Sequence, residues 1–63
     1  MKIIFELKDG GRVGTANWDA IPRVGEGVCL FETGEKLFYE ILKVWWSNHE
    51  TCKNEVSIVV REI

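Results

Sequence analysis

The sequence has little of what catalysis and metal binding require. It contains one histidine and two cysteines, and His49 lies three residues before Cys52 in the polar segment 47–54. A turn of this kind does not exclude water or hold a nucleophile against a base, and the four-ligand pattern of a structural zinc site is missing. We therefore predict free thiols, no catalytic residue, no metal site and no cofactor, and hence a protein that is not an enzyme.

A surplus of positive charge is also missing. Eight Lys and Arg stand against ten Asp and Glu, so the net charge is −2 and the isoelectric point is near 5.3. The two signs are interspersed along the chain, without a polybasic segment. Proteins that bind a phosphate backbone usually carry a basic excess, so the composition disfavours nucleic acid as a partner.

No hydrophobic run is long enough to cross a membrane, which takes about 20 apolar residues in a helix. Near the start of the sequence, Lys2 and Glu6 enclose only three apolar residues, which is too few for the core of a signal peptide. We therefore expect no membrane association and a cytoplasmic location.

Aromatic and aliphatic residues, by contrast, are abundant for so short a chain. The 63 residues are 46% hydrophobic and include three Trp, three Phe and one Tyr. We expect one domain, residues 1–63, and a domain of this size buries only about 60% of the surface that its unfolded chain exposes. Some apolar side chains must therefore stay on the surface, where a cluster of them commonly marks an interface.

The N-terminal part predicts a β-hairpin. Residues 2–8 alternate apolar and charged side chains, except at Ile4, as a half-buried strand does. Asp9-Gly10-Gly11 then predicts a tight turn in which the glycine pair adopts positive φ angles. The second strand is expected to begin at about Arg12.

The middle and the end of the chain predict one long connection and three further strands. Residues 17–27 contain the sole proline, and in this connection we expect Ile21 and Val24 to contact the core. Beyond it, the pattern predicts a strand to Glu32, a loop over 33–36, an antiparallel partner strand over 37–46, a turn over 47–54 and a last strand over 55–63.

The predicted fourth strand breaks its own two-residue period. Tyr39 and Ile41 are two residues apart, but the next inward candidate, Val44, follows Ile41 by three. One face stays buried only if an extra residue is absorbed near Leu42 or Lys43. The spacing therefore predicts a β-bulge and a bent strand.

These elements predict an all-β fold in which five antiparallel strands, in meander order, form a small closed or nearly closed barrel. Three segments support a family resemblance: Ile21-Pro22-Arg23-Val24-Gly25-Glu26 before a strand, Tyr39-x-Ile41-x-x-Val44-x-Trp46, and Val56-x-Ile58-x-Val60. In them the chain resembles small SH3-like barrels, and more narrowly short uncharacterised bacterial and phage proteins of that plan. The resemblance covers residues 12–63 and implies an SH3-like barrel with a bent fourth strand, but no shared activity. An OB-type barrel is the alternative fold, although only residues 33–36 are available for its usual helix.

An aromatic surface is the best functional candidate. Alternation directs four residues inward, namely Val28, Leu30, Val44 and Trp46. It then directs Phe31 and Trp45 outward on what we expect to be neighbouring strands. We predict a partner-binding patch of Phe31, Trp45, Phe38 and Val59, centred on Trp45 and extended by Ile4. The open alternative is that loops or the terminal strand cover these side chains.

We accordingly predict a non-enzymatic interaction module, of phage or mobile-element origin by resemblance, that binds a partner protein or itself. A homodimer would bury the patch or pair a strand edge. The alternative is a single-stranded nucleic-acid-binding barrel, in which aromatic rings stack on bases. That alternative requires five cations to converge beside the aromatics: Lys8, Arg12, Arg23, Lys43 and Arg61. A protein contact requires an apolar patch rimmed by mixed charge.

Overall fold

A computed structural model of the chain describes residues 1–32, 34–47 and 55–63. Its strands are β1 (Lys2–Leu7), β2 (Arg12–Asn17), β3 (Gly27–Glu32), β4 (Glu35–Ser47) and β5 (Glu55–Glu62). The predicted all-β class and the five predicted strands are confirmed. Most of the turn predicted over 47–54, with His49 and Cys52, lies outside the described residues.

The strands form one mixed sheet in the order β2-β1-β5-β4-β3. Three neighbouring pairs are antiparallel, but β1 and β5 are parallel, so the predicted purely antiparallel meander is wrong. In the parallel register Ile3 lies beside Val56 and Phe5 beside Ile58. A parallel neighbour needs a long connection, and here the whole of β2, β3 and β4 supplies it.

The sheet is strongly curled into a half-barrel around one apolar core. Each strand contributes to the core, which consists of Ile3, Phe5, Val13, Val28, Leu30, Tyr39, Ile41, Val56, Ile58 and Val60. The inward directions predicted for Val28 and Leu30 are confirmed. β2 and β3 form the two edges of the sheet, and no ladder joins them within the described part of the chain, so the sheet is a half-barrel that is compatible with the predicted small barrel.

The predicted bulge in β4 is confirmed. Ile41 pairs with Val60 and Lys43 pairs with Val59, which leaves Leu42 as the extra residue. β3 pairs with β4 only up to Glu40, whereas β5 accompanies β4 to its end at Ser47. The bulge thus lies where β4 leaves one neighbour and continues with the other.

The first turn is tight, as predicted, but its two glycines differ. Gly10 has a φ of 98°, while Gly11 has no positive φ and donates its N–H to the Asp9 carboxylate at 2.9 Å. The turn is closed by the Leu7 N–H, which donates to the Gly11 carbonyl at 2.7 Å. One left-handed glycine is therefore sufficient to bring β2 beside β1.

The long connection between β2 and β3 is attached to the core in a different way from the one expected. Ile21 packs against the core, as predicted, but Val24 is 64% exposed, and the expectation for Val24 is wrong. The end of the connection is held by its backbone, because the Gly25 N–H donates to the Ile41 carbonyl at 3.0 Å. Within the described ranges, no helix is long and apolar enough to span a bilayer.

Candidate interaction surface

The residues predicted to bind a partner all lie on the outer, convex face of the sheet. Phe38 pairs with Cys29, whose side chain is only half buried, and Trp45 pairs with Ser57, both one step from inward-facing positions. Exposure is 73% for Phe31, 54% for Phe38 and 57% for Trp45. The described loops and strands therefore leave these rings in water.

The structure separates the predicted patch into two groups. Phe31 pairs with Lys36 and is a diagonal neighbour of Phe38; we call Phe31, Lys36 and Phe38 the phenylalanine patch. Trp45 lies on the far side of the bulge, seven residues after Phe38, which corresponds to about 23 Å along an extended strand at ~3.3 Å per residue. Phe31 and Trp45 lie on neighbouring strands, as predicted, but they do not form one patch, because β3 ends its pairing with β4 before the bulge.

A charged pair lies between the two groups. Arg61 and Glu40 are cross-strand neighbours, and the Arg61 guanidinium donates to the Glu40 carboxylate. The side chains are 62% and 31% exposed, respectively. The outer face thus consists of two aromatic areas divided by a partly exposed ion pair.

Trp45 lines a groove, which we call the Trp45 groove. Its other lining residues are Lys8, Leu42, Lys43 and Val59, and its volume is about 400 Å³. The bulge is the reason that Leu42 is present: two residues oppose one at a bulge, so Leu42 joins Lys43 on this face. Lys8 reaches the groove from the end of β1.

A further residue of the predicted patch, Ile4, contributes little exposed surface. It lies on the outer face between Thr15 of β2 and Ser57 of β5 and is only 8% exposed. The expectation that Ile4 extends the patch is therefore wrong, because little of this side chain remains in water between the residues of β2 and β5 that flank it. Leu42, in contrast, was missed by the sequence analysis, although the predicted bulge was the signal that identifies it.

Each aromatic group has a lysine in the same relative position. The Lys43 ammonium lies 5.7 Å from the centre of the Trp45 ring, and the Lys36 ammonium lies 5.7 Å from the centre of the Phe38 ring. In each pair the lysine precedes the aromatic residue by two positions along β4, so alternation places both side chains of the pair on the same face. These distances are within the range of cation–π attraction.

A second depression lies on the inner side, along the β2–β3 connection. It is wide open, has a volume of about 610 Å³ and is lined by Trp18, Arg23 and Glu26 among others. Trp18 contacts Phe5 edge-on at 5.5 Å between ring centres. The Glu26 carboxylate accepts a hydrogen bond from the Arg23 N–H. This carboxylate is already engaged by its own loop.

Trp46 faces inward, as predicted, but it is not buried. Its register opposite Val56 places it on the inner face, as expected, but it is 65% exposed. It lies beyond the filled core and lines a shallow depression of about 290 Å³ with Ile21, Pro22 and Val24. Burial fails here because the half-barrel brings no opposing strand over Trp46 within the described residues.

The described part of the chain contains no cluster of three or more His, Cys, Asp or Glu that is able to hold a metal ion. His49 and Cys52 lie outside it, so what was expected of them stays a prediction. A scan against protein-family models, a search of curated proteins and a search of solved structures each found no match to this chain. The function of the surface is therefore inferred from its own residues.

Proposed function

We propose that this protein is a non-enzymatic interaction module that binds a partner protein, or a second copy of itself, through the aromatic outer face. One observation carries the proposal: Phe31, Phe38 and Trp45 are each more than half exposed on one face. The core of the half-barrel is filled by other side chains, so the fold does not need these rings. Exposed aromatics of this kind are frequent binding hot spots.

The magnitude of the apolar term supports a protein contact. Covering the exposed 57% of Trp45 removes on the order of 120 Å² from water, worth about 3 kcal/mol at ~25 cal/mol per Å². An exposed ion pair such as Arg61–Glu40 contributes at most about 1 kcal/mol. Binding energy on this face is therefore expected to come from the rings.

Self-association is supported by the open edges of the sheet. β2 and β3 are terminal strands, and in the described chain β4 has no partner on its β3 side after Ile41. An edge with free N–H and C=O groups is able to pair with another strand. A homodimer would thus use either an edge or the aromatic face.

The finer part of the family resemblance belongs to this proposal. The curled sheet and the bulged β4 support an SH3-like barrel, whereas a bacterial or phage origin rests on the sequence resemblance alone. The parallel pairing of β1 with β5 departs from the meander order that the resemblance implies. A cytoplasmic location stays a prediction as well.

The proposal is tested by retention of proteins from nuclease-treated lysate of the source organism on the tagged full chain. Wild type is compared with Trp45→Glu and Phe38→Glu. The matched control is Thr15→Glu, which adds the same charge at an exposed outer position away from both aromatic groups. Circular dichroism establishes that each variant is folded, and sedimentation equilibrium measures self-association.

We expect a protein at stoichiometric yield, or a dimer in sedimentation, with wild type and Thr15→Glu. At least one of the two variants Trp45→Glu and Phe38→Glu should lose the retained protein or the dimer. The proposal fails if wild type is monomeric and retains nothing, or if every folded variant behaves like wild type.

A second candidate function is binding of single-stranded nucleic acid. Lys8 and Lys43 lie beside the exposed Trp45, which favours it. Of the other three required cations, none lines the groove: Arg61 is paired with Glu40, Arg23 lines the inner depressions, and Arg12 is opposite Glu6 by register. Fluorescence polarisation with an oligo-dT probe tests this candidate, for which binding must fall steeply with salt.

A further inference from the structure

We propose that the Trp45 groove is the binding site for an acidic segment of a partner protein, with one apolar side chain on Trp45 and flanking carboxylates on Lys8 and Lys43. This inference rests on the proposed function and deepens it, because it selects one of the two aromatic groups and specifies the chemistry of the partner. Three observations carry it: the shape of the groove, its charge, and the charge of its surroundings.

The shape of the groove is suited to the insertion of a side chain more than to contact with a flat protein surface. The volume of about 400 Å³ is within the range of roughly 300–1,000 Å³ that is usual for ligand pockets. The lining combines a rigid ring, two aliphatic side chains and the hydrocarbon stems of two lysines. Lysine stems commonly cover apolar surface while the ammonium stays in water. An apolar side chain of a partner is therefore able to pack against the apolar lining of the groove, and its charged neighbours are able to contact the lysine ammonium groups at the rim.

The rim of the groove is positive in an otherwise acidic chain. Lys8 and Lys43 both line it, whereas the net charge of the protein is −2. No ion pair to either lysine is formed within residues 1–32, 34–47 and 55–63. Lys43 instead contacts the Trp45 ring, which leaves its ammonium accessible to a carboxylate of a partner.

No acidic residue is among the described lining residues of the groove. Glu6 is next to Val59 by register, but its neighbour on the other side is Arg12, and opposite charges at such positions attract each other. Glu40 is engaged by Arg61. Among the described lining residues, the charges are therefore the two lysines alone, which favours an acidic segment and disfavours a basic one.

The number of lysines at the groove, two, disfavours a polynucleotide as its ligand. Two lysines neutralise two phosphates, whereas tight binding to a nucleic acid backbone typically uses about six to ten contacts. A short acidic segment needs only two partners at the rim, and its remaining affinity comes from the apolar anchor. Nucleic acid is thus an outcome of the test below, and not the occupant that the groove favours.

The phenylalanine patch supplies a matched control within the same strand. Lys36 and Phe38 have the same spacing and the same 5.7 Å distance from ammonium to ring centre as the groove pair. They do not line the Trp45 groove. A double variant at Lys36 and Phe38 therefore removes an equivalent cation and ring from the same face and leaves the groove intact.

The experiment is selection of short random peptides from a display library on the immobilised full chain, followed by affinity measurements with one selected synthetic peptide. We expect the selected sequences to carry Asp or Glu on both sides of a large apolar residue. Trp45→Ala should weaken the peptide by about tenfold or more, as hot-spot truncations do. Lys8→Gln with Lys43→Gln should weaken it by about fivefold and flatten its salt dependence.

Two controls separate a binding effect from loss of the fold. Lys8→Arg with Lys43→Arg keeps both charges and should keep the affinity within about twofold, because the attraction of a rim carboxylate depends on the charge, which both side chains carry. Lys36→Gln with Phe38→Ala should also bind within about twofold, because neither residue lines the groove. Each variant is compared only when its circular dichroism spectrum matches that of wild type.

The outcomes distinguish this inference from the proposed function. Selected peptides without acidic residues, or unchanged affinity in the Lys8/Lys43 glutamine variant, overturn the inference even if retention of a partner from lysate still depends on Trp45. Loss of the peptide in the Lys36/Phe38 variant moves the site to the phenylalanine patch, and the module remains. Failure to enrich any peptide over an immobilised Trp45→Glu chain overturns the groove as a peptide site. Binding of oligo-dT alone, with a steep salt dependence, overturns both.

Discussion

The inner and outer faces of one sheet hold the same kinds of side chain in opposite surroundings. Phe5 is fully buried, whereas Phe31 is 73% exposed, and on β3 a single residue step leads from Leu30, 7% exposed, to Phe31. Burial of the inner set stabilises the fold, while the exposed outer aromatics keep more than half of their surface in water. In a chain this small, the fraction of hydrophobic residues therefore does not indicate the size of the hydrophobic core. The direction of each side chain decides which residues stabilise the domain and which are left for binding.

The largest effect is expected on the inner face, for Phe5→Ala. This change empties a fully buried site and removes the ring that Trp18 contacts, which typically costs about 3–5 kcal/mol. A domain of this length has roughly 3–9 kcal/mol of stability in total, so we expect a mostly unfolded or severely weakened protein in urea titrations followed by circular dichroism.

The corresponding change on the outer face, Phe31→Ala, should shift the free energy of unfolding by no more than about 0.5 kcal/mol. Equal destabilisation by the two substitutions would mean that the outer aromatics are structural, and the contrast between the faces would be lost.

The next effect is expected at the bulge, where two adjacent aliphatic residues belong to different faces. Ile41 is 1% exposed and part of the core, so Ile41→Ala should cost about 2–5 kcal/mol. Leu42 is the extra residue of the bulge and lines the groove, so Leu42→Ala should cost about 1 kcal/mol or less. Denaturant midpoints of the two variants provide the test, and a reversed order would place the bulge at the wrong residue.

A smaller effect is expected where the backbone, and neither face, is changed. Gly10 has a φ of 98° and open space where an alanine Cβ would lie, so Gly10→Ala introduces backbone strain without a clash and should cost about 1–2 kcal/mol. Gly27 has no positive φ, and a Cβ there would meet only the Tyr39 carbonyl at 3.7 Å. Gly27→Ala is therefore the control, with a thermal midpoint close to that of wild type.

The smallest effect is expected for the ion pair between the two aromatic groups. Arg61 and Glu40 are 62% and 31% exposed, and pairs of this kind contribute at most about 1 kcal/mol. Arg61→Ala should lower the unfolding free energy by less than that, and the difference should shrink in high salt because exposed charges are screened. A large, salt-independent loss would show that the pair orders the outer face.

Much of the candidate surface was predictable from alternation along single strands. Leu30 inside and Phe31 outside follow from a two-residue period, and Trp45 outside follows once the three-residue interval before Val44 is assigned to a bulge. Such directions depend on backbone geometry over a few residues. The same reasoning was insufficient for Trp46, which has an inward register but 65% exposure, because burial also requires another part of the chain on top.

Local pattern was thus enough for the strands, the bend in β4 and the face on which each ring lies. Long-range pairing alone settled that β1 lies parallel to β5, that Phe31 and Trp45 belong to separate groups, and that Lys8 meets Leu42 and Trp45 in one groove. The reason is physical. A strand has the same alternation whichever neighbour it pairs with and in whichever direction, so the choice among neighbours is made by the fit of side chains distant in sequence, around a core that forms only when all strands are together.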